Sequence, residues 1–233
     1  MADNLSKIYK IIVSSDGREG IESAYNSIPD LIVSDIMMPN VDGFELCTTL
    51  KQDERTSHIP IILLTARSDD EDKFRGLEYG ADEYFLKPFN MKELKVRIKN
   101  LIEQRERIRL QYNKDSVLTV GSITESSVDK LFLEKTLILV EKNISDPNFG
   151  VKELANVLSM SRKQLHRKLR ALINISPNRY IRKIRLNRAK QLLVQKVGNV
   201  TEIAYKVGFS SSSYFTKCYK EEFDRVPSES ENL

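Results

Sequence analysis

The chain has 233 residues, 40% of them hydrophobic and 30% charged, with a formal net charge of +4. This length predicts two domains of about 100–200 residues each. No window reaches the roughly 18 apolar residues that a membrane span requires, and the amino-terminal sequence MADNLSKIYK lacks the apolar core of a signal peptide. These observations exclude a membrane-spanning protein, make secretion unexpected and favour a cytoplasmic location.

The cysteines and histidines do not form a metal-binding pattern. Cys47 and Cys218 are far apart and lack metal-ligand spacing, which predicts ordinary buried thiols in a reducing compartment. The two histidines, His58 and His166, are too isolated in sequence to form a metal centre.

The first half of the chain alternates short apolar runs with helical patterns. This alternation predicts an α/β fold, a parallel sheet with crossover helices. The runs LIVSD and IILLT are apolar almost throughout, which is typical of strands covered on both faces. The predicted strands are Lys10–Val13, Leu31–Asp35, Ile61–Thr65 and Glu83–Leu86, and the predicted helices are Gly17–Ser27, Val41–Asp53, Asp69–Tyr79 and Met91–Leu110.

Three polar side chains stand at the ends of successive predicted strands. Asp35 and Thr65 end two of them, and Lys87 follows the next in the sequence EYFLKPF. Parallel sheets of this kind place their chemistry beyond the carboxyl ends of the strands. The sequence therefore predicts a functional site at this edge, within a first domain of residues 1–110.

The second half is helical and contains an internal repeat. Residues 111–127 are polar and rich in Ser and Thr, which predicts a linker with one short strand at Val117–Val120. Residues 128–233 show helical apolar spacing to the end, which predicts a second, all-α domain. A shift of 49 residues aligns KELANVLSMSRKQL with TEIAYKVGFSSSSY and pairs Ser161 with Ser210.

Each copy of the repeat predicts a helix, a tight turn and a second helix, so the domain would hold two tandem helix-turn-helix units. Ala155 and Ala204 are small enough for two helices to cross closely, and Ser159 and Gly208 fall in the turns. Gly208 is suited to a positive backbone angle there. The candidate N-caps of the second helices are Ser161 and Ser210–Ser211.

Charge is distributed unevenly between the two halves. Residues 1–127 hold 17 Lys and Arg against 22 Asp and Glu, whereas residues 128–233 hold 20 against 11. No acidic residue lies between Glu153 and Glu202, an interval that contains twelve Lys and Arg. Surface helices normally interleave both signs, so this interval favours a polyanionic partner, with the DNA phosphate backbone as the obvious candidate.

The second helix of each unit would enter a major groove with its first residues nearest the base edges. Leu165, Leu169 and Leu172 form the predicted buried stripe of the first such helix. In the second, Tyr214, Phe215 and Cys218 are predicted to be largely buried. The residues left to face DNA are Arg162, Lys163, His166, Arg167, Arg170, Ser212, Ser213, Thr216 and Lys217.

A separate set of basic residues lies between the two units. We expect these residues to contact phosphates or to serve solubility rather than to read bases. They are Arg182, Lys183, Arg185 and Arg188.

This half resembles the AraC/XylS family of bacterial transcription activators over roughly residues 128–229. The resemblance rests on ISDPNFGVKELANVLSMSRKQLHRKLRALINISPNRYIRKIRLNRAKQLL and VTEIAYKVGFSSSSYFTKCYKEEFDRVPSE. It implies double-stranded DNA as the partner, with two recognition helices in successive major grooves. One departure is Ser230, where the family commonly has an aromatic residue. The positions that the resemblance assigns to base reading are Lys163, His166, Arg167, Ser212, Ser213 and Lys217.

The first half resembles a response-regulator receiver domain, which has a flavodoxin-like fold. Asp35 leads into the loop IMMPNVDG that this family shares. The resemblance implies that Asp35 accepts a phosphoryl group, that Thr65 hydrogen-bonds it and that Lys87 pairs with its charge. Tyr84 matches an aromatic residue whose inward or outward position reports phosphorylation. The Lys87–Pro88 bond is expected to be cis.

The sequence departs from the receiver pattern before Asp35. Receivers have a first strand ending in two adjacent acidic residues that hold Mg²⁺, but KIYKIIVSSDGREGIESAYNS matches their second strand and helix. Neither Asp3 nor Asp16 replaces the pair. The expected receiver thus lacks its first strand and helix, Asp35 forms an incomplete Mg²⁺ site, and phosphorylation is weak or lost. We expect Lys10–Val13 to pair with Leu31–Asp35 in a four-stranded sheet.

Three interpretations remain. In the first, the chain is a transcription regulator of a two-component phosphorelay, a homodimer whose Asp35 is phosphorylated by a histidine kinase or an upstream kinase module. In the second, the incomplete receiver is a phosphorylation-independent dimerisation module. In the third, an enzyme uses Asp35 as a nucleophile, which Met37 disfavours because phosphohydrolases usually place a second acid there. The similarity is closest to the carboxyl-terminal part of hybrid two-component proteins.

Overall fold

The computed structural model describes residues 1–66, 79–114 and 127–232. These residues fall into two compact units, one mostly within Met1–Lys114 and the other mostly within 130–232. The helix expected at Asp69–Tyr79, apart from Tyr79 itself, and the strand expected at Val117–Val120 lie outside the described residues.

The first unit is built on a parallel sheet of three described strands. β1 is Ile32–Asp35, β2 is Ile61–Thr65 and β3 is Glu83–Leu86, in the order β1-β2-β3. Asp35 pairs with Leu64, and Thr65 pairs with Leu86. All residues of β2 are buried, as its unbroken apolar sequence predicts for a central strand.

Helices cover both faces of this sheet, and alternate residues of β2 point to opposite faces. Ile61 and Leu63 pack in one hydrophobic cluster with residues of α2 and α3, such as Ala24 and Leu46. Ile62 and Leu64 pack on the other face in a cluster with residues of α1 and α4. The helices are α1 (Ala2–Leu5), α2 (Gly17–Ser27), α3 (Gly43–Gln52) and α4 (Met91–Lys114).

The expectation that Lys10–Val13 forms a fourth strand is wrong. These residues have no regular secondary structure, and Ile12 and Val13 are exposed. The turn that follows this segment is held by hydrogen bonds to the Asp16 side chain. Asp16 Oδ1 accepts from the Glu19 amide at 2.9 Å, and its Oδ2 accepts from Asn40 Nδ2 at 2.7 Å. Pairing at a sheet edge is stabilised mainly by burial of side chains, and Ile12 and Val13 gain little burial here.

The second unit consists of helices in two similar pairs joined by one long helix. The pairs are α6–α7 and α9–α10, and α8 connects them. Ala155 and Ala204 are buried where the helices of each pair meet, and Ser159 and Gly208 lie in the turns, as expected. Both turn residues have positive φ, which the sequence indicated only for Gly208. The helices are α5 (Ser127–Lys142), α6 (Val151–Val157), α7 (Arg162–Ile173), α8 (Pro177–Val194), α9 (Val200–Lys206) and α10 (Ser212–Phe223), followed by a 3₁₀ helix at Pro227–Asn232.

The two pairs are related by different shifts in their first and second helices. α6 and α9 differ by the expected 49 residues, but α7 and α10 differ by 50, because the second turn is one residue longer. The N-cap of α10 is Ser211, and its side chain accepts from the Tyr214 amide. The equivalent of Ser161 is therefore Ser211 rather than Ser210, and Lys163 corresponds to Ser213.

The hydrophobic core of the second pair gathers residues from α8, α9 and α10. Leu186, Ile203 and Phe215 belong to it, and Ile144, from the loop before α6, packs against it. Cys218 lies in the same core, and Cys47 is buried in the first unit, where burial raises the pKa of its thiol to about 11. Within the part of the chain that the structure describes, none of the helices has the length and apolar character needed to cross a bilayer.

Candidate functional site

The first candidate site lies at the carboxyl edge of the sheet. Asp35 ends β1, and its Oδ2 accepts a hydrogen bond from Lys87 Nζ, which reaches across from the end of β3. Asp35 Oδ1 accepts a hydrogen bond from the amide of Met37 at 3.3 Å. About a third of each charged side chain is exposed (35% and 37%), so the carboxylate remains accessible to solvent. The structure thus brings Asp35 and Lys87 together.

Thr65 and Tyr84 lie on the two strands beside this ion pair. Thr65 ends β2, is buried, and its carbonyl oxygen accepts from the Lys87 amide at 2.7 Å. Tyr84 points inward: its hydroxyl oxygen is buried and its ring centroid lies 6.5 Å from that of Phe44. The Lys87–Pro88 bond is cis, as expected.

The described side chains do not fit a complete Mg²⁺ site. Mg²⁺ requires near-octahedral oxygen coordination, usually with one or two carboxylates and several waters or phosphate oxygens. Asp35 offers one carboxylate, and that carboxylate is ion-paired with Lys87. Asp16 uses both carboxylate oxygens to hold the turn before α2, and hydrogen bonds from the Glu19 amide and Asn40 lower its pKa. Among residues 1–66, 79–114 and 127–232, no three His, Cys, Asp or Glu side chains are grouped to hold a metal ion.

The second candidate site is the exposed surface of α7. Ser161 begins the helix with a capping box, in which its hydroxyl accepts from the Gln164 amide at 3.1 Å and Gln164 Oε1 accepts from the Ser161 amide at 2.9 Å. Leu165, Leu169 and Leu172 are buried, which confirms the predicted stripe. Arg162, Lys163, His166 and Arg170 are exposed, and Arg167 is half-buried.

No acidic residue occupies the first turn of α7, where the helix dipole favours negative partners. Lys163 and His166 lie on one face with Arg167, at i, i+3 and i+4 spacing. A helix start that carries two basic side chains, Arg162 and Lys163, can hold phosphate oxygens and reach base edges. This surface is therefore chemically suited to a polyanion.

α10 presents a less basic surface. Ser213 and Lys217 are exposed, and Ser212 and Thr216 are half-buried. The Thr216 hydroxyl donates to the Ser212 carbonyl oxygen at 3.0 Å, so part of its hydrogen-bonding capacity is used within the helix. Lys220, which sequence reasoning missed, is also exposed, and under the 50-residue shift it corresponds to Arg170.

The expectation that Tyr214 is largely buried is wrong. Its side chain is 52% exposed, whereas Phe215 and Cys218 are buried as expected. The Tyr214 hydroxyl accepts from Arg182 Nη1 at 3.2 Å, and its ring lies 6.1 Å from that of Phe209. The prediction of burial rested only on the hydrophobicity of the aromatic ring. In the structure, contacts with the Phe209 ring and the Arg182 guanidinium hold Tyr214 at the surface.

All four basic residues on α8 that were expected to contact phosphates or to serve solubility make contacts within the protein. Arg182 binds the Tyr214 hydroxyl, and Lys183 Nζ lies 3.6 Å from Glu222 Oε1 in a largely buried ion pair. Arg185 donates to three backbone carbonyl oxygens. Arg188 is exposed and donates to Gln191 Oε1 at 2.9 Å. Part of the positive charge in the acid-free interval is therefore engaged in contacts within the protein.

Lys168 is a buried cation that sequence reasoning did not single out. It is fully buried on α7, and its Nζ lies 4.9 Å from the centroid of the Phe132 ring, within range of a cation–π interaction. Its position three residues after Leu165 and four before Leu172 places it on the buried stripe. That spacing is the signal that could have identified it.

Comparison with known proteins assigns both halves. A model of the response regulator receiver domain matches residues 3–99, and a helix-turn-helix domain model matches residues 154–232. The chain is 43% identical over 224 residues to histidine kinase P4 of Formosa agariphila, covering 96% of this chain and 16% of that protein. It is 34% identical over 157 residues to the response regulator ArlR of Staphylococcus aureus strain Mu50, covering 67% of each.

Solved structures resemble each half. The receiver domain of a sensor histidine kinase from Pseudomonas aeruginosa, with a magnesium ion coordinated in its active-site cleft, is 28% identical with a TM-score of 0.40, covering 44% of this chain and 82% of that one. A transcriptional regulator with an AraC-type DNA-binding domain from Chromobacterium violaceum is 32% identical with a TM-score of 0.40, covering 42% and 88%.

A parallel sheet with Asp35, Thr65 and Lys87 at its carboxyl edge, joined in one chain to paired helices with basic surfaces, defines a two-domain signalling protein. The matches to known proteins identify the family to which this two-domain protein belongs. The chain belongs to the response regulators and combines a flavodoxin-like receiver domain with an AraC-type helix-turn-helix domain.

Proposed function

We propose that the chain is a sequence-specific DNA-binding regulator of transcription. The observation that carries this proposal is the exposed basic face at the start of α7, where Arg162, Lys163 and His166 lie near a helix N-terminus whose first turn contains no acidic residue. Such a surface attracts the phosphate backbone and places side chains at the base edges. A relative, ArlR, is named as a response regulator, which agrees with this role.

We further propose that α6–α7 and α9–α10 are two tandem helix-turn-helix units that occupy successive major grooves of double-stranded DNA. α7 would supply the more basic contacts, and α10 the contacts from Ser212, Ser213, Thr216 and Lys217. Arg167 and Arg170 add positive charge to the first groove. The matching left-handed residues that end the two second helices, Asn174 and Asp224, support a common fold for both units.

Selection of duplexes from a random-sequence library by the full chain tests this function. We expect enrichment of a sequence with two separate conserved parts, because two recognition helices read two segments. Failure to enrich any sequence would contradict sequence-specific binding. Enrichment of one short uninterrupted segment would contradict a role for the second unit.

For control of DNA binding, we propose that Asp35 is the phosphoacceptor and that Thr65, Tyr84 and Lys87 respond to the phosphoryl group. The Asp35–Lys87 ion pair supports this role, because Lys87 can follow added negative charge on the carboxylate. We propose that residues 7–27 correspond in sequence to the second strand and helix of a receiver, and the packing of α2 on the same sheet face as α3 supports the helical part of this match. With one carboxylate among the described candidates for Mg²⁺, phosphorylation should be slow.

Incubation of the full chain with acetyl phosphate and Mg²⁺, followed by intact mass measurement, tests phosphorylation. We expect partial gain of one phosphoryl group, no gain in Asp35→Asn, and an unchanged gain in Asp30→Asn, which alters an exposed carboxylate outside the site. If the wild-type chain gains no mass, or if Asp35→Asn gains as much as the wild type, Asp35 is not the phosphoacceptor.

The incomplete metal site favours a second candidate for control, in which the receiver is a phosphorylation-independent dimerisation module. Both candidates propose a homodimer, and the phosphorylation-dependent one also needs a histidine kinase or an upstream kinase module. Sedimentation of the chain before and after phosphodonor treatment separates the candidates, because only a phosphorylation-dependent dimer changes its association state.

We also propose domains at 1–110 and 128–233 with a linker at 111–127. We further propose a cytoplasmic location and no catalytic turnover by the chain.

A further inference from the structure

Arg185 lies near the middle of α8 and joins parts of both helix pairs. Its Nη1 donates to the carbonyl oxygen of Gly208, in the turn between α9 and α10, at 3.1 Å. Its Nη2 donates to the carbonyl oxygens of Asp146 at 2.6 Å and Phe149 at 3.2 Å, in the loop that leads into α6. One guanidinium group therefore connects the start of the first pair to the turn of the second.

The backbones that Arg185 connects are also in close contact. Gly208 has φ +78, and a Cβ atom built on it would lie 2.4 Å from the carbonyl oxygen of Ile144 and 3.0 Å from Arg185 Nη2. The Ile144 side chain packs against the core of the second pair. Loop 143–150 thus contacts the turn between α9 and α10 through its backbone, through a side chain and through the Arg185 hydrogen bonds. These contacts connect the two proposed helix-turn-helix units, and together they form the inter-unit joint.

Arginine is well suited to this joint. Its planar guanidinium directs several N–H donors in fixed directions, whereas lysine offers one nitrogen that cannot span three separated carbonyl groups. Arg185 is half-buried, so it offers less of its charge to solvent than Arg188, which lies three residues later on α8 and is exposed. The two residues carry the same charge but make different contacts.

We propose that Arg185 is a positioning residue that sets the half-site spacing accepted by the two recognition helices. This inference rests on the proposed function, in which α7 and α10 bind successive major grooves. One added base pair moves the second half-site by about 3.4 Å along the DNA axis and rotates it by about 35°. A rigid inter-unit joint therefore accepts one spacing, and a loosened joint accepts several.

The test uses duplexes selected by the wild-type full chain, remade with one base pair inserted or deleted between the two parts, and a duplex carrying one part alone. The wild type should prefer the selected spacing by on the order of tenfold or more. Arg185→Met should lower this preference roughly fivefold by binding altered spacings comparatively better, with binding to the single part changed less than about twofold. Arg188→Met removes the same charge and should keep the wild-type preference.

A uniform loss of affinity by Arg185→Met across all duplexes would assign Arg185 to general stability or phosphate contact and overturn the proposal. An unchanged spacing preference would also overturn it. If Arg185→Met does not fold, Arg185→Lys, which keeps the charge, is measured in the same way and should show the same relaxed preference. Failure of the proposed function is distinguishable, because the wild-type chain would then select no two-part sequence.

Discussion

Alanine in place of Gly208 should destabilise the second helix pair by about 3 kcal/mol or more. The left-handed conformation costs an L-residue roughly 1–2 kcal/mol, and the new Cβ would lie 2.4 Å from the carbonyl oxygen of Ile144, so the backbone must also shift. Since 1.4 kcal/mol corresponds to a factor of ten, hydrogen exchange of amides in 200–223 should accelerate about 100-fold. Mass spectrometry of peptides from this range measures the change.

Gly150→Ala is the matched control for this substitution. Gly150 lies before α6 with an ordinary backbone angle, and a Cβ there would lie 3.5 Å from the Glu153 carboxylate and 3.9 Å from the Asn148 carbonyl oxygen, which are normal contact distances. Loss of a glycine at an N-cap should cost less than about 1 kcal/mol. Equal exchange rates in the two variants would show that the close approach at Gly208 does not constrain the fold.

Glutamate in place of Lys163 should weaken DNA binding by on the order of 100-fold at low salt, because like charges at a close interface cost several kcal/mol. Lys163 is exposed in the first turn of α7, and His166 lies on the same helix face. A carboxylate there would face the phosphate backbone instead of attracting it. Fluorescence anisotropy with a labelled duplex measures the affinity of the full-length variant.

Lys130→Glu provides the matched control, because it reverses an exposed charge in the first turn of α5, where a carboxylate suits the helix dipole. It should change DNA affinity far less than Lys163→Glu. The difference between the variants should shrink at higher salt, since counterions screen the phosphate contacts. Equal losses in both variants would mean that net charge, rather than the α7 surface, governs binding.

The elements with the clearest apolar patterns were predictable from the sequence. β2 and β3 match the predicted bounds, because short runs rich in apolar residues and bounded by breaks are typical of strands. The leucine stripe of α7 and its Ser161 cap follow from helical periodicity and side-chain capping. Asp35, Thr65 and Lys87 were found because parallel strands end at one edge of the sheet.

The remaining features depend on what packs against each segment. Hydrophobic periodicity in the sequence carries no information about these packing partners. Lys10–Val13 has the composition of a strand, but Ile12 and Val13 have no opposing layer in the described structure. Tyr214 is held outward by Arg182, which is 32 residues away in sequence. The contacts of Arg185 are with backbone carbonyl groups up to 39 residues away, and such acceptors exist at every residue. The fold, and not a sequence pattern, determines which of these carbonyl groups Arg185 contacts.

Selection of bound duplexes from a random library by the full chain tests the central claim most directly. Two helix-turn-helix units that occupy successive major grooves predict a two-part sequence with centres about 10–10.5 base pairs apart. The part read by α7 should depend on Lys163, so that Lys163→Glu loses enrichment of that part. A selected sequence with a single part, or binding without any sequence preference, would contradict the claim.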